Sequence, residues 1–469
     1  MSTTTATTTT GDGNVTERPP KADEVADLAP LRIQLSDRLV APGDTAWDES
    51  SRPWNLAIDQ APVAVVLAAS PDDVAVTVRF ARAYGLAVAP QAGGHGASAR
   101  LAGSIVVRST GLTDLVVDPV ARTARVGAGV RWGALQAALD GTGLTAMIGS
   151  NPDVSVVGFT LQGGYSWFTR TYGMGADSLR AAEIVDAQGE VRWVDDRTDP
   201  ELMWALRGGG GNLAYVTAVE IDLHPAPEIA GGRLMFPFTA ARDVLNAYAD
   251  ATATAPPTVT LWATVVHVPD LPFLPAEVRG ESFVVVEGAT TEGLDGLEAA
   301  LASVRASGPV VHDTVRVRTA SEVGDICEEP VDPMPALHSA RPLGALTPQT
   351  VDALLAVAHT PGVMQIQVRH LGGVRAGRRP GFHTGVPSEL LATSLALVTA
   401  PEAVPVILSG FATVAEALRP WTEGAVAPSL LAAGESLERS ASSAALDRLG
   451  ECVAHEDPAG VFRAATGHS

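Results

Sequence analysis

Lysine is nearly missing from this chain. Lys21 is the only one, and the 32 basic side chains face 53 acidic ones, for a formal net charge of -21. The negative charge is spread along the chain instead of being gathered in one tail, so a phosphate backbone would be repelled over most of the surface. Nucleic acid is therefore not an expected partner. Arginine in place of lysine, beside abundant alanine, valine and glycine, reads as codon usage of a GC-rich bacterial genome and carries no function. Cysteine is as scarce: Cys327 and Cys452 are the only two. They are too few and too far apart for a disulfide framework or a zinc site of the usual spacing. A reducing cytoplasm is expected, and no metal. Also lacking is any run of about 18 consecutive apolar residues, so no membrane span is expected. The Thr-rich start, Met1 to Thr16, has neither the basic beginning nor the apolar core of a secretory leader. It is expected to be part of a disordered tail, residues 1–27. No Gly-Lys-Ser/Thr occurs, which removes the P-loop. Gly127-x-Gly129 continues to Gly133 with the wrong spacing for a nicotinamide-dinucleotide fingerprint.

What the chain does have is length and apolar content. At 469 residues and 46% hydrophobic it can bury two cores, or one core with a large insertion. After a mixed lead-in, 28–53, the apolar run 63–68 predicts a buried strand. Ser70-Pro71-Asp72-Asp73 then supplies an N-cap, an N1 proline and first-turn acids for a helix to Tyr84, which Gly85 closes. A second strand, 87–90, leads through Gln91 into Ala92-Gly93-Gly94-His95-Gly96. Three short β-rich runs fill 105–126, and a helix is expected over 130–139. After a second glycine-rich passage, 158–175, a hairpin turns at Gln188-Gly189. A short helix, 202–206, stops at Gly208 to Gly211, and a strand over 215–223 ends at His224-Pro225-Ala226-Pro227. Beyond that breaker the pattern suggests strands at 259–266, 282–286 and 364–369, helices at 293–306 and 348–358, and a Pro-rich loop over 330–342. A last helix is expected near 442–449. The layout beyond residue 225 suits a large antiparallel sheet covered by helices.

Glycine inside regular elements costs stability, so clusters of it mark positive φ or close approach to a ligand. Each cluster alone reads equally well as a turn. Together they sit at strand ends, where open backbone N–H groups form anion-binding nests suited to a pyrophosphate. His95 is the sharpest residue. A loop histidine is the plain alternative, but the flanking Gly93, Gly94 and Gly96 leave its imidazole accessible. A neutral imidazole nitrogen is a competent nucleophile toward an electrophilic carbon.

Three stretches then occur in order: Gln91-Ala-Gly-Gly-His95-Gly, Asn151-Pro-Asp-Val-Ser-Val-Val-Gly-Phe-Thr-Leu-Gln-Gly-Gly164-Tyr-Ser-Trp-Phe-Thr-Arg-Thr-Tyr-Gly173, and Leu202-Met-Trp-Ala-Leu-Arg-Gly-Gly-Gly-Gly-Asn212. Together they resemble the FAD-binding flavoproteins of the p-cresol methylhydroxylase and vanillyl-alcohol oxidase type, in the branch similar to berberine bridge enzyme and 6-hydroxynicotine oxidase. The match runs from about Trp54 to Pro225, with a fainter echo at Asp457 to Phe462. The resemblance implies an α+β chain with a two-subdomain FAD-binding domain at 54–225, an inserted substrate domain at 226–425 and a return to the FAD domain at 426–469. It places the cofactor contacts at Gln91, Ala92, Gly93, Gly94, His95, Gly96, Ser98, Asn151, Val154, Gly158, Gly163, Gly164, Gly173 and Ile184. His95 would be linked to the flavin 8α-methyl. A second bond is not expected, because Asn151 stands where other members attach a cysteine. Gln91 replaces the family's arginine.

The family's Tyr-x-Asn pair is also missing, since Ser429 to Glu435 holds no tyrosine. Substitutes implied for the catalytic role are Tyr165, Trp167, Arg369 and His370. Neighbours on a regular strand point to opposite faces, so Arg369 and His370 cannot both line a pocket. Trp54, Trp132 and Trp204 are assigned to the core. The expected activity is FAD-dependent oxidation of a small organic metabolite, with O₂ the expected acceptor and a tailoring step in secondary metabolism a fitting place. Without the usual base a neutral amine is favoured. Two alternatives stay open: redox-neutral isomerisation or cyclisation on a retained flavin, and a flavin-free metabolite-binding protein.

Overall fold

The computed structural model describes residues 27–211, 213–270, 276, 278–372, 379–384 and 388–465. The Thr-rich start, Asn212 and Gly373 lie outside them. Within them the chain is α+β, built on three main sheets.

The first sheet places Val88–Gln91 beside Ile105–Arg108, then Ala64–Leu67, then Leu39–Val40, with the first three strands parallel. Parallel strands need a crossover, and helix Pro71–Tyr84 provides it as its local signals require. The Ser70 side chain accepts from Asp73 N, Pro71 opens the first turn, and Gly85 ends the helix in the left-handed region at φ 68°. Val461 and Phe462 return to this sheet, where Val88 N donates to Val461 O at 2.7 Å and Arg463 N to Val88 O at 2.9 Å. Asp457 shapes that return by accepting from Val461 N and Phe462 N.

The second sheet is antiparallel: Leu115–Asp118, Thr123–Gly127, Tyr215–Asp222, Leu179–Val185 and Val191–Asp195 in that order. Its hairpin turns at Gln188-Gly189, where Asp186 accepts from Gln188 N and Glu190 N and Gly189 takes φ 81°.

The third sheet has eight strands, all antiparallel. Its main path runs His312–Asp313, Ile229–Pro237, Ser282–Thr290, Val259–His267, Gln365–His370, Leu390–Leu397, Ala336–Leu343, and Arg316–Arg318 also pairs with Ile229–Pro237. The pleat divides its side chains. Leu261, Ala263, Val286 and Val368 face a core shared with helices Ala241–Thr254, Leu294–Ala306, Pro348–Val357 and Val404–Leu418. Trp262, Ala289, Ala340 and Leu391 face the other way, into the core of the N-terminal sheets.

One expectation fails here. The Pro-rich stretch 330–342 is not all loop, because Ala336–Leu343 is a strand. It lies at the end of the sheet, where Pro342 can be accommodated without breaking an interior ladder. The helix Ala241–Thr254 and strands Ile229–Pro237 and Leu390–Leu397 were left unassigned by sequence. Helix Val404–Leu418 was also unassigned. It belongs to a stretch, Pro401–Trp421, that is long and apolar enough to cross a membrane by length and composition alone. In the fold its Ile407, Phe411, Val414 and Leu418 pack into the core beneath it.

Arg170 ties the two cores together. It is 4% exposed and donates to the carbonyls of Pro256 at 2.8 Å, Ala255 at 3.2 Å, Val259 and Gly372. Thr171 adds a bond to Pro257 O at 2.9 Å. Replacing Arg170 by methionine keeps the stem but strands those carbonyls. We expect a loss of about 3 kcal/mol in urea unfolding. An unchanged midpoint would show that these bonds do not hold the two cores.

Candidate functional site

The strand Val88–Gln91 ends at a cavity of about 370 Å³. Its walls come from the loop after that strand, from Asn151 to Gly158, from Tyr165, from two strands of the eight-stranded sheet and from residues 428–435. Each wall has a local cause. Trp54 N and Asn55 N donate to Gly93 O at 3.0 Å and Gly94 O at 3.2 Å, and buried Arg108 donates to Gly93 O at 3.1 Å and Arg52 O at 2.7 Å. Gly94 has φ +88°, and a Cβ there would lie 2.8 Å from Pro53 Cβ, so only glycine fits.

This scaffold presents His95. Its ring stacks on Trp54 with centroids 4.0 Å apart and an interplanar angle of 18°. Trp54 is therefore part of the site wall and not simply core, a correction to the sequence reading. The His95 Nε2 is buried and has no hydrogen-bond partner among the described residues. The nearest carboxylate, Asp153 Oδ2, lies 3.6 Å away, too far for a good hydrogen bond, and it is engaged by Arg131. Burial pulls the His95 pKa down to about 4, Asp153 only partly opposes that, and Arg131 reinforces it. At neutral pH the ring is an uncharged nucleophile.

Asn151 holds the opposite rim, donating to Pro330 O at 3.1 Å and accepting from Asp153 N at 2.8 Å. Gln91, Ala92, Gly93, Gly94, Gly96, Ser98, Val154 and Gly158 line the same cavity. Gln91 Oε1 is another buried atom without a partner among the described residues. Trp132 touches the cavity too, although it is 1% exposed and packs in the core. Trp204 packs in the core, as expected.

Four expected contacts are placed elsewhere. Gly163, Gly164, Gly173 and Ile184 lie outside the cavity lining. The first three have φ of +92°, +70° and +91°, and added Cβ atoms would meet Ala427, Phe159 and Asp177. Their glycine requirement comes from protein packing. Ile184 is fully buried in the Leu179–Val185 strand.

The strand register sorts the remaining candidates. Arg369 pairs with Trp262 and Leu391, and His370 with Leu390. Arg369 reaches the cavity, its guanidinium 4.3 Å from the Trp262 ring centroid, and Trp262 stacks on Trp167 at 3.7 Å. Trp167 is fully buried and does not line the cavity, which corrects its candidacy. His370 points to the opposite face, is 4% exposed and also lies outside the lining. It is therefore withdrawn as a catalytic candidate. Burial, with the Arg170 charge, lowers its pKa to about 3.

Tyr165 does line the cavity. Burial holds its phenol well above its usual pKa, with the Ala427 backbone and the Arg369 charge only partly opposing. It is a hydrogen-bond donor at neutral pH, not a base.

Sequence reasoning missed two groups. Glu287 is 4% exposed, with burial raising its pKa to about 7. It reaches Arg369 through Gln367, which donates Nε2 to Glu287 Oε2 at 3.4 Å and accepts from Arg369 Nε at 2.6 Å. His338, on the strand Ala336–Leu343, lines the cavity with its Nε2 buried and unpartnered among the described residues. The only sequence signal for His338 was a histidine in a segment read as loop.

Comparison with known proteins fits this geometry. Residues 62–195 match a family model described as an FAD binding domain. The chain is 31% identical over 306 residues to (R)-6-hydroxynicotine oxidase of Paenarthrobacter nicotinovorans, covering 63% of this chain and 63% of that protein. The aligned part is thus less than two thirds of that relative. Xylooligosaccharide oxidase of Thermothelomyces thermophilus is 28% identical over 216 residues, 45% of this chain and 44% of that one. The solved structure of 6-hydroxy-D-nicotine oxidase from Arthrobacter nicotinovorans superposes with a TM-score of 0.79 at 23% identity, covering 91% of this chain and 96% of that one. A berberine-bridge-enzyme-like protein of Physcomitrella patens gives 0.79 at 18% identity, over 95% and 99%.

The loop geometry makes a paired prediction. Gly94→Ala should lower stability by about 2 kcal/mol in a thermal melt. Gly96→Ala should change it by no more than about 0.5 kcal/mol, because the nearest atom to its Cβ is 4.0 Å away. Equal effects at both positions would contradict the strain argument. His370 gives a pH signature. Its folded pKa lies below the unfolded value, so the unfolded chain takes up the proton first. Stability is unaffected above about pH 6.5 and falls as pH drops toward 3. His370→Leu should recover roughly 3 kcal/mol of that loss near pH 4, read from urea midpoints across pH.

Proposed function

Because the chain belongs to the FAD-binding flavoproteins of the p-cresol methylhydroxylase type, in their berberine-bridge-enzyme-like branch, we propose that it is an oxidoreductase that removes hydride from a small organic metabolite. The observation carrying this reading is His95: buried, neutral, unpartnered among the described residues at Nε2, and stacked on Trp54 beside the cavity of about 370 Å³. The residues present fit FAD. A loop closed by Gly94, the unpartnered polar atoms of His95 and Gln91, and the open backbone of 92–98 offer a cradle at the end of a parallel strand.

His95 is the attachment residue in this reading, and Asn151 leaves a single covalent bond. Bound FAD supplies the two-electron acceptor, with O₂ regenerating it. The protein's own groups bind and orient. Tyr165 donates a hydrogen bond, while Arg369, fixed by Trp262 and Gln367, sets a positive charge on the sheet side of the cavity. Substrates are organic molecules of modest size, and a tailoring step in secondary metabolism fits the relatives named as oxidases and FAD-linked oxidoreductases. Cytoplasmic location belongs to the same reading, supported by two buried, unpaired cysteines.

Acid precipitation of the purified yellow protein tests the proposal. Colour is expected in the pellet for the wild type and in the supernatant for His95→Ala. Flavin still attached to that variant would place the bond elsewhere, and a colourless wild type would defeat the reading.

A further inference from the structure

The sequence offers no tyrosine where relatives place their base, and the structure disqualifies two of the expected substitutes. His370 faces away from the cavity, and Tyr165 is held protonated. Arg369 is a cation. Glu435 lines the cavity but is committed to Arg439 and Arg341 and accepts from Ala432 N at 2.9 Å. Two groups remain, the half-buried carboxylate of Glu329 and His338, and of these His338 carries a buried nitrogen without a partner among the described residues.

Its position follows from the register. His338 pairs with Leu395, which pairs with Gln365, and this row shares a sheet face with Gln367, Arg369 and Trp262. The histidine therefore stands on the cavity side of the same sheet as Arg369, two strands away. Its strand is fixed to the N-terminal body: Asn55 Nδ2 donates to Ala336 O at 2.9 Å, and Ala336 N donates to Asn55 Oδ1 at 3.2 Å. A buried imidazole nitrogen without a partner is costly unless a ligand completes it.

We propose that His338 is the base of this site, taking the proton from a hydroxyl of the substrate beside Arg369, so that the substrate is a neutral or anionic alcohol or phenol and not a cationic amine. The inference rests on the oxidoreductase reading. The substrate's O–H bond and one C–H bond break, the carbinol C–H of an alcohol or the benzylic C–H para to a phenol's hydroxyl, and its C=O bond forms, as a carbonyl or a quinone methide. The two electrons leave with the hydride for the flavin of that reading, and the proton goes to His338. The charged and titratable groups around His338 agree with this task. Burial and the Arg369 charge keep the ring neutral before reaction, while the Glu435 charge and the backbone of Leu430 and Leu431 stabilise it once protonated. Arg369 and the phenol of Tyr165 remain to hold the oxyanion.

The test uses the flavin-loaded protein and 4-nitrophenol, whose colour reports its ionisation. One pH unit below the free phenol's pKa, the wild type should bind it as phenolate. The nitrogen-15 imidazole signal that is missing in His338→Gln should move to the protonated position in the wild type. His338→Gln, and His338→Asn as a second variant, should keep the flavin content and melting temperature. Each should bind the phenol at least about tenfold more weakly and in its protonated form. The proposal is overturned if the phenolate binds equally to both variants, if the wild type does not bind the phenol, or if the His338 signal stays neutral while phenolate is bound. A colourless wild type would instead sink the oxidoreductase reading, and the imidazole signal would still decide the role of His338.

Discussion

The guanidinium of Arg170 joins the two cores between which the site is assembled. It leaves the N-terminal body within the second glycine-rich passage and is spent on backbone carbonyls of the segment 255–259 and of Gly372. The cavity has no single owner. His95 and Tyr165 come from one core, while His338 and Arg369 come from the sheet that belongs to the other. Without a fixed seam these groups would not share a volume. The neighbouring stack of Trp167 on Trp262, with Arg369 above, carries the same seam to the edge of the site. A cation buried among oxygen acceptors suits this position, because it pins several carbonyls that an apolar side chain would leave unsatisfied.

Burial also sets the chemistry. Around the cavity it moves four groups toward their neutral forms: His95 and His338 down, Tyr165 and Glu287 up. Arg369 is the cation at the cavity wall, Glu435 is already paired, and the half-buried Glu329 is the other carboxylate of the lining. Beside Arg369, such a surrounding favours negative charge developing on a substrate oxygen and penalises a positively charged ligand. That bias bears on a protonated amine and not on the neutral amine of the sequence expectation, which followed from a missing tyrosine. A residue missing from one loop says nothing about a residue supplied by a distant strand.

Local signals were legible where local physics decides. Ser70, Pro71 and Gly85 bracket their helix because capping is settled within one turn, and Asp186 with Gly189 turns its hairpin for the same reason. The strand through Pro342 was not legible, because proline reads as loop until the strand is known to lie at a sheet end. Gly163, Gly164 and Gly173 looked like the cradle of a ligand. Their neighbours are Ala427, Phe159 and Asp177, and the same backbone demand arises from close packing. Trp54 looked like core because a tryptophan usually is, and only its stack on His95 gives it a second role.

The sequence by itself determined the α+β class, the FAD-binding resemblance, the loop that presents His95 and the absence of a cysteine at position 151. All of these are written in contiguous motifs whose backbone requirements are local. Only the tertiary structure decided that Arg369 faces the cavity and His370 does not, and that His338 joins His95 and Tyr165 around it. Those facts depend on strand register and on the face a pleat presents, and register is set by pairing between segments far apart in the chain.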